Sequence, residues 1–314
     1  MKIYHGTDIF QPIPYAVVTS GTFDGVHLGH QKIISRLTEI GQRGDAKGQK
    51  GETVVLTFWP HPRTVVSNDS QGLKLLSTLE EKTELLEAAG VDHLVVIPFT
   101  RSFSELSSAE FIQQILVDKI GTKKLVIGYD HHFGRNREGS FEYLQQHAHE
   151  YGFEIEEIPR QDVEDVGVSS SKIRTALLEG DLKTATKFLG RPYSLSGTIV
   201  KGQQLGRTIG YPTANIQVDD PSKLVPSNGI YAAEVIYKGE KLGGAMSIGT
   251  RPTVGGTHRT IEVYIFDFKQ EIYGEHLTVR FIEYLRPELK FEGLAALVDQ
   301  MQLDVERAKE ILGQ

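Results

Sequence analysis

Short apolar runs of strand character alternate with segments of helical period along the first part of the chain, and this alternation restricts the fold more than any other feature. Residues 15–20 (YAVVTS), 52–58 (ETVVLTF), 93–97 (HLVVI), 124–127 (KLVI) and 153–158 (FEIEEI) read as strands. Between the first two, Ile33, Ile34, Leu37 and Ile40 fall on one helical face, and residues 79–89, 108–120, 141–151 and 171–178 read as further helices. Strands that alternate with helices predict βαβ units and a Rossmann-like α/β domain with a parallel sheet. Ligands of such sheets bind beyond the carboxyl ends of the strands. The loops GTFDG, WPHPR, GYDHHFGRNREG and EDVGVSSS each follow a strand, so they are expected to share one edge. Residues 41–51 (GQRGDAKGQKG) read as a polar, glycine-rich loop.

The pattern changes after about residue 190. SLSGTIV, GIYAAEVIY, GGAMSIG, TIEVYIFDF and LTVRFIEYL are short β-rich runs separated by Gly, Pro and Asn turns. They predict an antiparallel barrel or sandwich. A last amphipathic helix spans 294–312, with Leu294, Leu297, Val298, Met301, Val305, Ala308, Ile311 and Leu312 as its apolar set. A length of 314 residues suits two domains. The expected division is 1–186 and 187–314.

The chain has no cysteine, which excludes disulfides, thiolate metal sites and cysteine nucleophiles. Its first residues, MKIYHGTDIF, lack the apolar region of a secretion signal, and no run of about 18 apolar residues occurs. A cytoplasmic location with no membrane partner is expected. The net charge of −7 argues against a broad nucleic-acid surface. Any phosphate must then be held by local devices such as glycine loops, helix N-termini and single basic residues. The oligomeric state is left open by the sequence.

One such device is GTFDGVHLGH, residues 21–30. A strand ends, glycines turn the chain, and a helix begins near Gly29, so unpaired backbone N–H groups and a partial positive charge gather there. His27 and His30, three apart, can point the same way and donate to phosphate oxygens. Two surface histidines at a helix start is the bland alternative. A zinc site lacks a third ligand at a suitable spacing. His27-Leu28-Gly29-His30 resembles the His-x-Gly-His signature of the nucleotidyltransferase superfamily. The resemblance implies transfer of a nucleotidyl group with release of pyrophosphate, the histidines stabilising charge on the α-phosphate.

FWPHP (58–62), GYDHHFGRNREG (128–139) and VSSSKIR (168–174) together resemble the adenylyltransferase module of bacterial bifunctional riboflavin kinase/FAD synthetases. The resemblance implies a nucleotide and phosphate site at Gly21, Phe23, Asp24, Gly29, Asp130, Ser169, Ser170, Ser171 and Arg174. It implies flavin contacts at Phe58, His61, Pro62 and Phe133. Where the family more often has Thr, this chain has Ser171, and the hydroxyl survives. Independently of any family, three serines opening a helix can cap its N–H groups, and Arg174 one turn later can grip an anion with two donors.

The β-rich half opens with GTIVKGQQLGRTIGYPTANI, residues 197–216. Gly202, Gly206 and Gly210 punctuate a basic loop able to close over phosphates. Thr213 and Asn215 stand two apart, so on an extended chain they face the same side. This run resembles the Gly-Arg-x-x-Gly-x-Pro-Thr-Ala-Asn signature of riboflavin kinases. PSNGIY (226–231), GTRPT (249–253) and residues 260–281 continue the resemblance. It implies a six-stranded barrel with a terminal helix, ATP binding by Gly202, Gly206, Arg207, Gly210, Thr213 and Asn215, and Mg²⁺ ligation by Thr213 and Asn215. It also implies that Glu262 is the catalytic base and that Arg286 contacts flavin.

The resemblance spans essentially the whole chain. It implies an enzyme that phosphorylates riboflavin to FMN with ATP and adenylylates FMN to FAD. Two other readings are open to the sequence: a flavin-binding protein whose catalytic halves have lapsed, and a nucleotidyltransferase with another acceptor, such as nicotinamide mononucleotide or a lipid precursor. His27, His30, Thr213, Asn215 and Glu262 speak against the first, and the kinase-like half speaks against the second.

Overall fold

The computed structural model describes residues 1–67, 72–129, 131–159, 162–163, 166–253 and 256–314. The chain divides into two compact units, Met1–Ser170 and Ser171–Gln314.

The first unit is built on six parallel strands. They are β1 (Lys2–His5), β2 (Ala16–Ser20), β3 (Glu52–Trp59), β4 (His93–Pro98), β5 (Thr122–Gly128) and β6 (Glu154–Ile158). Their spatial order is β1-β4-β3-β2-β5-β6. The chain winds outward from β2 through β3 to β4, then returns to place β5 on the other side of β2. The switch point therefore lies between β2 and β5, where α/β sheets open a crevice for ligands. Strand alternation buries both faces. Val17 and Val55 join one apolar cluster, while Val18 and Val54 join the other.

The helices of this unit are α1 (Leu28–Arg43), α2 (Pro62–Val66), α3 (Leu79–Ala88), α4 (Arg101–Ser104), α5 (Ser108–Glu110) and α6 (Phe141–Tyr151). The helix expected over 108–120 is α5 followed by a π-helical stretch, Phe111–Val117, which buries Phe111, Ile112, Ile115 and Leu116. Its wider winding is invisible to a 3.6-residue pattern. The expectation began at residue 15 and so omitted β1. This four-residue edge strand is flanked by no helix-period segment to reveal it. A short hairpin, β7 (Asp162–Val163) and β8 (Val166–Gly167), precedes the second unit.

Helix α7 (Ser170–Glu179) starts on the last residue of the first unit, and the second unit carries the rest of it, α8 (Leu182–Leu189) and then a closed antiparallel barrel. Its strands are β9 (Ser194–Val200), β10 (Ala214–Gln217), β11 (Gly229–Tyr237), β12 (Glu240–Thr253), β13 (Gly256–Ile265) and β14 (His276–Arg286). The closed order is β10-β13-β12-β11-β14-β9. Five of these strands coincide with the β-rich runs. The sixth, β10, holds the end of the Pro-Thr-Ala-Asn segment and is too short to announce itself. Leu195, Ile199, Tyr231, Val235, Met246, Val263, Val279 and Phe281 fill the interior. A one-turn helix, α9 (Leu205–Thr208), sits in the loop before β10, and α10 (Leu294–Leu312) packs against the barrel through Ala308, beside Ala232 and Phe266. Leu294, counted with the apolar face of α10, is instead 62% exposed at the first residue of that helix.

Candidate functional sites

The first unit gathers its unusual loops at the carboxyl edge of the sheet. β2 ends at Ser20, and the chain turns through residues whose backbone is left-handed: Phe23 (φ 47°), Gly25 (φ 79°) and Val26 (φ 38°). A bulky or β-branched residue there is strained, and such strain persists only where the surroundings over-determine it. They do so here. Asp24, 2% exposed, turns inward, and its Oδ1 accepts from the backbone N–H groups of Leu76 (2.9 Å) and Ser77 (3.2 Å). Ser77 Oγ accepts from Gly25 N–H at 3.0 Å, and Gln31 Nε2 donates to the Val26 carbonyl at 2.9 Å. Ser170 Oγ donates to the Asp24 carbonyl at 3.0 Å.

This turn aims two imidazoles. His27 is the N-cap of α1, and its Nδ1 accepts from the His30 backbone N–H at 3.4 Å. That bond leaves the neutral ring's proton on Nε2. The rings of His27 and His30 stack at 3.7 Å and 15°, and Phe23 lies 5.1 Å from the His30 ring. Gly29 allows the stack, because a Cβ at that position would stand 3.2 Å from the His27 ring. His27 is buried and His30 half-buried.

His131, which the sequence reading quoted but did not single out, follows β5 and bridges the switch point: its Nε2 lies 3.2 Å from Ser20 Oγ at the end of β2. Burial pushes its pKa down to about 4, helped by the positive charges of His132 and Arg137, so the ring is neutral at physiological pH. His131 stacks on Phe133 at 5.7 Å. From Phe133 an aromatic run continues through Phe111 (5.5 Å), Phe103 (6.2 Å) and Phe58 (5.9 Å). Phe58 and Phe133, expected as flavin contacts, are thus the ends of one wall. His61 caps α2 with Nδ1 accepting from Arg63 N–H at 3.1 Å, and Pro62 opens that helix. Asp130 lies outside the described residues. Ser169 and Ser170 end the first unit, half-exposed; Ser171 and Arg174 lie on α7 in the second.

In the second unit, a cavity of about 320 Å³ lies among the 203–209 loop, the mouth of the barrel, the segment after β14 and α10. Thr213, Glu262, Arg286 and Glu288 are among its polar lining, and Leu297 and Met301 of α10 are among its apolar lining. Thr213 Oγ1 donates to Glu262 Oε2 at 2.9 Å, and Asn215 stands opposite Glu262 across the β10–β13 ladder. Thr213 and Asn215 thus both neighbour Glu262, one through this hydrogen bond and the other as its cross-strand partner. Gly202 approaches the Asn215 side chain closely. Arg207 is exposed and pairs with Glu271 at 2.9 Å, and the loop closes on itself through Tyr211 N–H to the Gly206 carbonyl at 2.8 Å.

Arg286 does not stand free in solvent. Its guanidinium grips Asp304 of α10 with Nε at 2.8 Å and Nη2 at 2.5 Å, and Gln300 also donates to Asp304. Asp304 carried no signal in the sequence beyond being a carboxylate among apolar neighbours of α10. Among the described residues there is no cluster of three or more His, Cys, Asp or Glu able to cage a metal. No helix among them is long and apolar enough to cross a membrane.

The family model for FAD synthetase matches residues 11–172, and that for riboflavin kinase matches residues 189–312. A bifunctional riboflavin kinase/FMN adenylyltransferase of Listeria monocytogenes is 41% identical over 290 residues, covering 92% of this chain and 90% of that protein. Its namesake in Escherichia coli K12 is 37% identical, covering 100% of this chain and 98% of its own length. A crystal structure described as a macrolide-efflux protein from Streptococcus pneumoniae superposes with a TM-score of 0.88 at 31% identity, covering 98% of each chain. Efflux is a description of that protein; the match carries a fold shared along nearly the whole length.

Proposed function

Because the chain belongs to the family of bifunctional riboflavin kinase/FMN adenylyltransferases, we propose that its two reactions are carried by the histidine pair at the head of α1 and by Glu262 at the cavity of the barrel. The enzyme phosphorylates riboflavin to FMN with ATP, and adenylylates FMN to FAD with release of pyrophosphate. We assign residues 1–186 to the adenylyltransferase and 187–314 to the kinase; the riboflavin kinase match from residue 189 supports this boundary.

In adenylyl transfer, a phosphate oxygen of FMN attacks the α-phosphorus of ATP, and the bond to the β-phosphate breaks. No covalent enzyme intermediate is required, so positioning and charge stabilisation do the work. The Nε2–H of His27 and the ring of His30 meet the charge that grows on the α-phosphate. The N–H groups at the start of α1 add their dipoles. Gly21, Phe23, Asp24 and Gly29 shape this cradle, Asp24 by holding the turn from within. Asp130, Ser169, Ser170, Ser171 and Arg174 serve the nucleotide, and the wall from Phe58 to Phe133, with His61 and Pro62, takes the flavin. The observation that carries this half is the stacked pair His27–His30 at a helix N-terminus beside the switch point.

In phosphoryl transfer, Glu262 removes the proton of the ribityl 5′-hydroxyl as that oxygen attacks the γ-phosphorus and ADP leaves. The Thr213 hydroxyl, donating to Glu262, fixes the carboxylate. A hydroxyl, an amide oxygen and one carboxylate are hard donors that fit Mg²⁺ when phosphate oxygens complete the shell. Thr213 and Asn215 would hold that ion, which would supply neutralisation of charge on the transferred phosphate. Gly202, Gly206, Arg207 and Gly210 form the loop over the nucleotide, and Arg286 sits at the flavin end. A soluble enzyme of the cytoplasm, without membrane or nucleic-acid partners, suits these substrates and the net charge of −7.

Chromatographic product analysis of the full chain tests the reading. Riboflavin with ATP and Mg²⁺ should yield FMN and then FAD, and a chelator should stop the first step. If a folded His30→Ala protein lost FMN formation as well as FAD formation, the division between the two units would fail.

A further inference from the structure

Lys82 lies inside the first unit, 2% exposed, on the buried side of α3. An ammonium so placed is costly unless it is well partnered. Its Nζ donates to Thr57 Oγ1 at 3.3 Å and stands 5.5 Å over the ring of Trp59. Thr57, itself fully buried, passes the contact on, for its hydroxyl donates to the carbonyl of Thr22 at 3.3 Å. Thr22 is the residue just before the left-handed stretch of Phe23, Gly25 and Val26. The segment leading into α3 is tied to the same turn from the other direction, through Asp24 to Leu76 and Ser77.

We propose that Lys82 is a positioning residue for adenylyl transfer: through the Thr57 hydroxyl it holds the Thr22 carbonyl, and with it the strained turn that aims His27 and His30. A hydroxyl that accepts from a cation donates more strongly to its own acceptor, so the charge reaches the turn without touching substrate. Burial pushes the Lys82 pKa down to about 8 against the pull of Asp24, which leaves the ammonium charged at neutral pH. The inference rests on the assignment of His27 and His30 to the reaction.

The test uses the full chain and follows FAD formation from FMN and ATP, with riboflavin phosphorylation as an internal control. Lys82→Met should lower kcat for FAD formation by about ten- to a hundredfold, the scale of a small misalignment of reacting groups. KM for ATP and FMN should stay within about threefold, since no substrate contact is removed. The unfolding temperature of the first unit should not fall, because the variant removes a buried charge. Thr57→Val should reproduce the loss, Thr57→Ser should recover most of it, and Lys82→Met with Thr57→Val should be no worse than the worse single variant. The proposal is overturned if Lys82→Met keeps kcat within about twofold, or if the two losses multiply, as independent sites would. If Lys82→Met does not fold, the Thr57 pair decides: equal rates for Val and Ser overturn the relay, and unequal rates support it. His30→Ala run alongside separates the premise from the inference, because FAD formation that survived it would remove the histidines from the reaction whatever Lys82 does.

Discussion

Gly202→Ala should disable the kinase through one side chain. Gly202 lies in the loop after β9, and its backbone is not left-handed, so alanine is conformationally allowed there. The obstacle is Asn215. A methyl group at residue 202 would stand 2.6 Å from both Cγ and Oδ1 of Asn215 and would crowd Nδ2 as well. Ordinary contact needs about 3.5 Å, so the amide must retreat by roughly 1 Å. Asn215 is a half-exposed residue on a short strand, and its side chain can swing away at little cost to the barrel. Its chemistry cannot follow. A magnesium–oxygen bond is about 2.0–2.1 Å long and tolerates little error, and a misplacement of ~1 Å in such a site costs about 10²-fold, or ~2.7 kcal/mol of transition-state stabilisation. Steady-state phosphorylation of riboflavin measures the effect directly, and FAD formation from supplied FMN should be unchanged in the same preparation. A Gly202→Ala enzyme that phosphorylates riboflavin within about threefold of the parent rate would remove Asn215 from the ligand set, since the added methyl displaces that amide.

His30→Ala should abolish FAD formation while FMN still accumulates from riboflavin, and Glu262→Ala should do the reverse, making FAD only when FMN is supplied; chromatography of the flavins distinguishes the two. Asp304→Asn leaves the largely buried Arg286 guanidinium without its carboxylate and should cost about 3 kcal/mol in the second unit, seen in denaturant unfolding, with a raised KM for riboflavin. The Lys82 ammonium, ordinarily near 10.5, releases its proton at about 8 in the folded chain, so the unfolded chain binds more protons between those values. The penalty, on the order of 3 kcal/mol, is present in full below pH 8 and relieved as the pH rises towards 10.5. Stability of the first unit should therefore climb over that window relative to a Lys82→Met protein, and parallel curves for the two would refute the assignment.

The parts of this enzyme that were legible in its sequence are those whose partners are close along the chain. The alternation around Val17, Val18, Val54 and Val55 reports two buried sheet faces, because successive side chains must point to opposite sides. His27 and His30 share one turn of one helix, and Thr213 and Asn215 share one side of one extended segment, so spacing alone brings each pair together. What escaped is set by contacts between distant segments. The resemblance implies Asp24 at the phosphate site, and its carboxylate faces the backbone of Leu76 and Ser77, more than 50 residues away. His131 meets Ser20 only because the sheet places β5 beside β2. Arg286 finds Asp304 only because α10 folds back on the barrel. Lys82 is the instructive case, since a local signal was present: Leu79, Lys82 and Leu86 fall on one stripe of α3, and a lysine on a buried stripe demands a reason. The stripe could say that the charge was inside. Only the packing of α3 under β3 could say that it ends, through Thr57, on the turn that carries the histidines, and this is why a search for unexplained buried charges adds to motif reading where the motif itself is already complete.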